Sequence, residues 1–199
     1  TISAVYENCF KTSPNFYISL IKEGISINDA VSHHKYAINC IIESSKQETQ
    51  SKSNDKLNEA VSHLKESIKN GFLFSYLLLS LVYHNLLEKN ISAFNAVKEG
   101  ATQGEKYCKC LIGYFIAHGI GTTKDFMKGI SIILTNKVPD FYEKFATDIG
   151  IYYTILAKEE REETNSTSGT ILDANKVTAF EWFEKAFNMN KTKATINNI

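Results

Sequence analysis

The sequence predicts an all-α fold, an array of stacked helix pairs, and three observations carry that expectation. Helix breakers are scarce: 2 prolines and 10 glycines stand against 12 phenylalanines and 10 tyrosines, a balance that favours long helices packed on one another. Apolar residues recur at i, i+3, i+4 and i+7, the spacing of one helix face. Landmarks also repeat, since Gly71 and Gly104 lie 33 residues apart, as do Ala60 and Ala93. A fixed period of that size is the mark of a helix-pair solenoid.

Taken in order, residues 17–42 carry apolar side chains at helical spacing, interrupted near Gly24 and Asn28. Residues 1–29 are expected to form an N-terminal helical extension. Residues 43–55 contain no apolar side chain and read as a flexible loop. Leu57, Ala60, Val61, Leu64 and Ile68 then form one stripe, and Gly71 follows as a natural C′ residue. The next segment, to about residue 90, is apolar on nearly every side and is expected between neighbouring helices. Residues 91–104 form a short amphipathic helix ending at Gly104.

The stretch LIGYFIAHGIGTTKD, residues 111–125, describes the joint of a helical hairpin. A buried helix carries Cys108, Ile112, Gly113 and Ile116. Gly119 and Gly121 accept positive φ and reverse the chain, and Asp125 caps the next helix. Gly129 takes the small position there, 36 residues after Ala93. The spacing of Ser75, Leu79, Ser80 and Tyr83 returns in Phe145, Ile149, Gly150 and Tyr153. The small residue of each set (Ser80, Gly113, Gly150) lets two helix backbones approach closely, and the larger one three positions later fills the space beside it. A bulky residue at Gly113 is therefore expected to overpack the joint. Ala179, Trp182, Phe183, Ala186 and Phe187 build the last second helix. About four helix pairs fit into 30–190, with 191–199 as a tail, all in one domain. Insertions are expected at 43–55 and roughly 161–175.

Composition narrows the function. With 22 basic and 22 acidic residues the formal net charge is zero, so no electrostatic footprint for nucleic acid or an anionic membrane is present. The longest apolar run, about 12 residues from Phe72, is short of the ~20 needed to span a bilayer. No signal peptide is visible. The chain begins at Thr1 and not Met, so its true start is expected to have been removed, which leaves room for a lost targeting segment, and a periplasmic or secreted location is placed ahead of a cytoplasmic one. Cys9, Cys40, Cys108 and Cys110 form no CxxC pair. Four buried thiols are expected, and a Cys9–Cys40 disulfide is the alternative if the protein is exported.

Catalytic and cofactor motifs are weak. GIGTTKD, from Gly119, fails the P-loop spacing and lacks a preceding strand. His33, His34, His63, His84 and His118 show no metal-binding i, i+4 pair, and His118 is expected to cap helix carbonyls. No nucleophile elbow or catalytic-cysteine signature occurs, and the acids of 157–164 read as a solvated helix end. Neither metal nor cofactor is expected. Tyr76, Tyr83, Tyr107, Tyr114, Tyr152 and Tyr153 lie on first helices. Tyr83 and Tyr153 hold packing positions, while Tyr76, Tyr107 and Tyr114 are the candidate partner-binding anchors.

These residues resemble the Sel-one-like repeat, a relative of the tetratricopeptide repeat. Its unit reads roughly A-x-x-x-L-G-x-x-Y-x-x-G-x-G-V-x-x-D-x-x-K-A-x-x-W-[YF]-x-K-A-A-x-x-G. Cys108 to Gly129 matches it best, with Ile112-Gly113, Gly119, Gly121, Asp125, Lys128 and Gly129. Ala179, Trp182, Phe183, Lys185 and Ala186 match the second half. Cys108 replaces the usual alanine and Ile116 the usual tyrosine. The unit ending at Gly104 lacks the G-x-G. The resemblance implies a right-handed α-solenoid with Gly113, Gly119, Gly121, Asp125, Gly150, Tyr153 and Trp182 as structural repeat positions. It also implies a non-enzymatic module that binds another protein in a concave groove, as an adaptor or as an inhibitor or immunity protein. The alternative is a secreted helical-repeat hydrolase with cysteine or serine chemistry. The penicillin-binding members of the family place paired cysteines in every repeat, which this chain does not.

Overall fold

The computed structural model describes residues 29–138, 142–164 and 169–196, with side chains at 29–138, 144–159 and 174–189. Among these residues the protein is all-helical, with eight α-helices and no strand. Most of the expected N-terminal extension, Cys9, and the tail beyond 196 lie outside them. The chain divides into two compact units, the first ending at Cys108 and the second beginning at Lys109.

In the first unit, α1 spans Ala30–Ser44 and starts on Asp29, whose carboxylate accepts the Ser32 N–H at 2.7 Å. Helix α2 spans Gln50–Lys69. The loop expected over 43–55 is thus only a five-residue joint, 45–49. Three features extend the helix through this polar sequence. Thr49 Oγ1 accepts the Lys52 N–H at 3.4 Å, and Gln50 Nε2 donates to Asn54 Oδ1 at 3.0 Å. Once the Leu57–Ile68 stripe is packed, each further residue only propagates an existing helix. A run without apolar side chains marks an exposed helix turn here, not irregular chain.

Helices α3 (Ser75–Leu81) and α4 (Asn90–Thr102) complete the unit, with one π turn, Val82–Leu86, between them. Ala37, Cys40, Ala60, Val61, Leu64, Leu79, Val82 and Ala96 form its core. The glycine landmarks close helices by one shared geometry. Gly71 (φ +93°) donates to Ile68 O, and Phe72 N donates to Ser67 O. Gly104 (φ +94°) and Glu105 repeat this on Ala101 and Gly100, and in the second unit Gly119 (φ +72°) and Ile120 repeat it on Ile116 and Phe115. This is the paired 6→1 and 5→2 bonding of a Schellman end, which requires the left-handed residue that glycine supplies.

Helix α5 spans Lys106–His118, so the division between the units falls within it. The second unit continues with α6 (Phe126–Asn136), a 3-10 turn (Tyr142–Phe145), α7 (Ala146–Thr164) and α8 (Gly169–Ile196). Asp125 caps α6 by accepting the Lys128 N–H at 3.0 Å. Gly113 sits directly on α6: a Cβ there would stand 2.5 Å from Gly129 O and 2.9 Å from Ile133 Cγ1. Gly129 in turn faces Gly113 and Ala117. Gly150 differs from the expected pattern, because what lies against it is the Phe183 ring, 2.8–3.0 Å from a built Cβ, not a helix backbone. Ser80, the third small residue of the pattern, turns its hydroxyl back to Leu77 O at 2.8 Å. The insertion expected near 161–175 is helical through Thr164 and again from Gly169. As at 43–55, polar sequence extends helices already anchored by packing. Phe115, Ile130, Ile133 and Ile149 are fully buried, each contributing about 1.5–3 kcal/mol by leaving water.

Candidate binding surfaces

The seam between α1 and α2 is closed by polar side chains, and their order shows that the helices run antiparallel. His33 faces His63 with Nδ1···Nδ1 at 2.9 Å, Tyr36 donates to Glu59 Oε1 at 3.0 Å, and Lys56 reaches Glu59 at 2.9 Å and Glu43 at 3.5 Å. The Tyr36 ring packs on His63 at 4.5 Å. A second chain of contacts runs from His34 Nδ1 to Ser75 Oγ (2.7 Å), from Ser75 to Ser67 Oγ (2.8 Å), and from Ser67 to Ala30 O (2.6 Å). Burial pushes His34 down to about 4 and also lowers His63, whose charged form faces His33. Burial, with Glu59 second, raises Tyr36 to about 12. The His34–Ser75 distance suits a nucleophile and its base, but Ser67 and Ser75 have no exposed surface and Phe72 and Phe74 cover the imidazole. No substrate reaches that hydroxyl, so the pair is a satisfied core contact. His33 Nε2 is buried without a partner.

The first unit also has an open groove of about 380 Å³ on α2, α3 and α4, lined in part by Lys65, Ile68, Tyr76, Tyr83 and Glu99. Tyr76, an expected anchor, is 5% exposed, and its hydroxyl bonds to Glu99. A Cβ at Gly100 would stand 2.6 Å from Tyr76 Cβ, so this ring serves the α3–α4 seam. Tyr107 is half-buried, edge-on to Phe74 at 5.7 Å, with the Lys106 ammonium 4.9 Å from its ring. In the second unit Tyr114 is half-buried, stacks on Phe145 at 5.1 Å and lies tilted against His118 at 4.4 Å. His118 does not cap carbonyls as expected: its Nε2 meets Asp148 Oδ2 at 3.1 Å, because a carboxylate on α7 comes within reach. Tyr153 is half-buried and edge-on to Tyr152, and Trp182, also half-buried, has the Lys185 ammonium 4.9 Å from its ring.

Among the described residues, a contiguous exposed apolar surface lies in the second unit, on α7 and α8. A trough of about 320 Å³ is lined by Thr154, Ala157, Lys158, Lys176, Ala179, Phe180 and Phe183. Its rim continues along α8 as Val177 (58% exposed), Phe180 (69%), Phe183 (40%) and Phe187 (67%). Sequence reading placed Phe183 and Phe187 among the builders of a packed helix and gave Phe180 no role. The signal was present: α8 carries one stripe through Ala179, Trp182 and Ala186 and another through Val177, Phe180 and Phe187. A single neighbouring helix covers only one of two such stripes.

The described thiols are enclosed. Cys40, Cys108 and Cys110 are free, buried thiols. Burial pushes Cys40 and Cys110 up to about 12 and Cys108 up as well, so none is a thiolate at neutral pH. Glu105, which sequence reading passed over, is buried at 8% exposure and accepts the Cys108 N–H at 2.7 Å, capping α5. Among the described residues no three His, Cys, Asp or Glu side chains are grouped to hold a metal, and no helix is long and apolar enough to cross a membrane. Compared with protein-family models, with curated proteins and with solved structures, the chain matches none.

Proposed function

We propose that this protein is a non-enzymatic module that binds another protein, as an adaptor or as a stoichiometric inhibitor of the immunity type. The observation that carries this reading is the bare aromatic face of α8, with Phe180 and Phe187 each about two-thirds exposed. Contiguous apolar patches of this kind on a folded chain mark interaction sites. A helical surface is preformed, so docking orders little chain. In the same reading the helix pairs are Sel-one-like repeats stacked as a right-handed α-solenoid. Three Schellman ends on Gly71, Gly104 and Gly119, and the Gly113–Gly129 approach, support that architecture. Tyr107 in the first unit and Tyr114 in the second keep part of their rings open and stand as secondary anchors. Among the described residues, the buried, protonated thiols and a sealed Ser75 favour the binder over a cysteine or serine hydrolase.

Affinity capture from native extract tests the reading, using the full chain, Phe180→Glu, and the Tyr107→Ala/Tyr114→Ala pair. A hot-spot loss of about 2 kcal/mol makes Phe180→Glu bind roughly 30-fold more weakly. Capture at unchanged affinity by Phe180→Glu overturns the assignment. Fast, selective labelling of one cysteine at neutral pH in the folded protein would restore the hydrolase.

A further inference from the structure

The trough on α7 and α8 has a definite electrostatic character. Among the described residues, the two charged ones lining it, Lys158 and Lys176, are both cationic and none is a carboxylate. Its natural occupant is an apolar helix face with acids beside it. Such a face is present on the same molecule. Phe180, Phe183 and Phe187 follow the i, i+3, i+7 anchor spacing of a helix that lies in a groove, and Glu181 and Glu184 border them, both exposed.

Resting on the binding reading above, we infer that the occupant is a second copy of this chain, each α8 lying across the α7–α8 trough of the other in a two-fold dimer. A two-fold arrangement uses one patch on both copies, so the patch must complement itself. With the axis through Phe180 and the two α8 helices antiparallel, the Phe180 rings meet and Val177 of each copy lies level with Phe183 of the other. Lys176 and Glu184 are each four residues from Phe180, about 6 Å along the helix axis. Lys176 of one copy therefore stands level with Glu184 of the other, twice per dimer. Lys176 also has an interaction within its own chain. An ammonium carries three protons and accommodates a second carboxylate.

Area sets the strength. From their exposed fractions, the stripe residues leave on the order of 400 Å² per copy, about 800 Å² over the two, against roughly 1,200–2,000 Å² in total for a standard interface. An area at this low end marks a weak dimer, sensitive to single substitutions.

Sedimentation velocity on the full chain from ~5 to ~500 µM measures it, with circular dichroism melts to show that each variant folds. The wild type moves from monomer to dimer across that range. Phe180→Glu weakens association at least tenfold, Lys176→Glu and Glu184→Lys each weaken it several-fold, and the double variant K176E/E184K regains most of the loss. A wild type monomeric throughout, a dimer indifferent to Phe180→Glu, or a double variant no better than the singles overturns the inference. If the wild type is monomeric and Phe180→Glu still loses captured protein, the trough binds a different chain and only the second-copy assignment falls. If capture is also indifferent to Phe180→Glu, the binding reading falls with it.

Discussion

Two helix seams in this protein are closed by opposite means. In the first unit, α1 and α2 are joined by imidazole, phenol, carboxylate and ammonium groups in contacts of 2.9–3.5 Å. In the second, α5 and α6 approach through Gly113 and Gly129, where even a methyl group would strike backbone. The polar contacts exchange one set of hydrogen bonds for another on folding, so their net contribution, beside the apolar core that α1 and α2 share, is small and depends on protonation. The glycine seam gains close packing and apolar burial that do not titrate. One is therefore tuned by solution conditions, the other only by side-chain volume.

The largest effect that separates them is steric. Gly129→Leu is expected to destabilise the second unit by about 4 kcal/mol, or to prevent its folding, because there is no space for the added side chain. Urea denaturation measures this. A loss under 1 kcal/mol would mean that the close approach is absent in solution.

Acid comes next and acts on the first unit, beside the polar seam. Burial holds His34 near 4 against 6.5 in the unfolded chain, so between those values the unfolded state binds a proton that the folded state refuses. Stability is thus complete above pH 6.5 and declines as the pH falls towards 4, by about 3 kcal/mol from His34. His63, lowered first by burial and then by His33 beside it, with Glu59 offsetting part of this, adds to the same slope. Thermal melts from pH 7.5 to 4 check this, and the slope should flatten in His34→Gln. An acid-independent melting temperature would refute it.

Smaller effects should be equal in the two regions. Asp29→Ala and Asp125→Ala each remove a side-chain cap, at 2.7 Å on α1 and 3.0 Å on α6, and each is expected to cost about 1 kcal/mol. Smallest of all is Lys56→Met. Its ion pairs are about one-third exposed and contribute less than about 1 kcal/mol, a loss that salt should mask.

The helical class, the glycine ends and the Asp125 cap were legible in the sequence because each depends on a few consecutive residues. Positive φ at Gly71, Gly104 and Gly119 is a local requirement, and a helix start needs one oxygen three residues before an orphan N–H. Gly113 was legible too, since its small partner recurs at a fixed offset. The candidate site was not. Tyr76 and Phe180 are both large aromatics on helical stripes, yet one is 5% and the other 69% exposed. Spacing states that a stripe exists; only the number of neighbouring helices states whether it is covered.

By itself, then, the sequence determined that the chain is helical and where most helices end, because backbone conformation answers to nearest neighbours. Tertiary structure alone decided that His33 meets His63, that Gly150 receives the Phe183 ring, and that one face of α8 is left bare. Each of these depends on groups about 30 or more residues apart in the chain, or on which helix arrives to cover a surface, and burial, unlike φ, is a property of the assembled molecule.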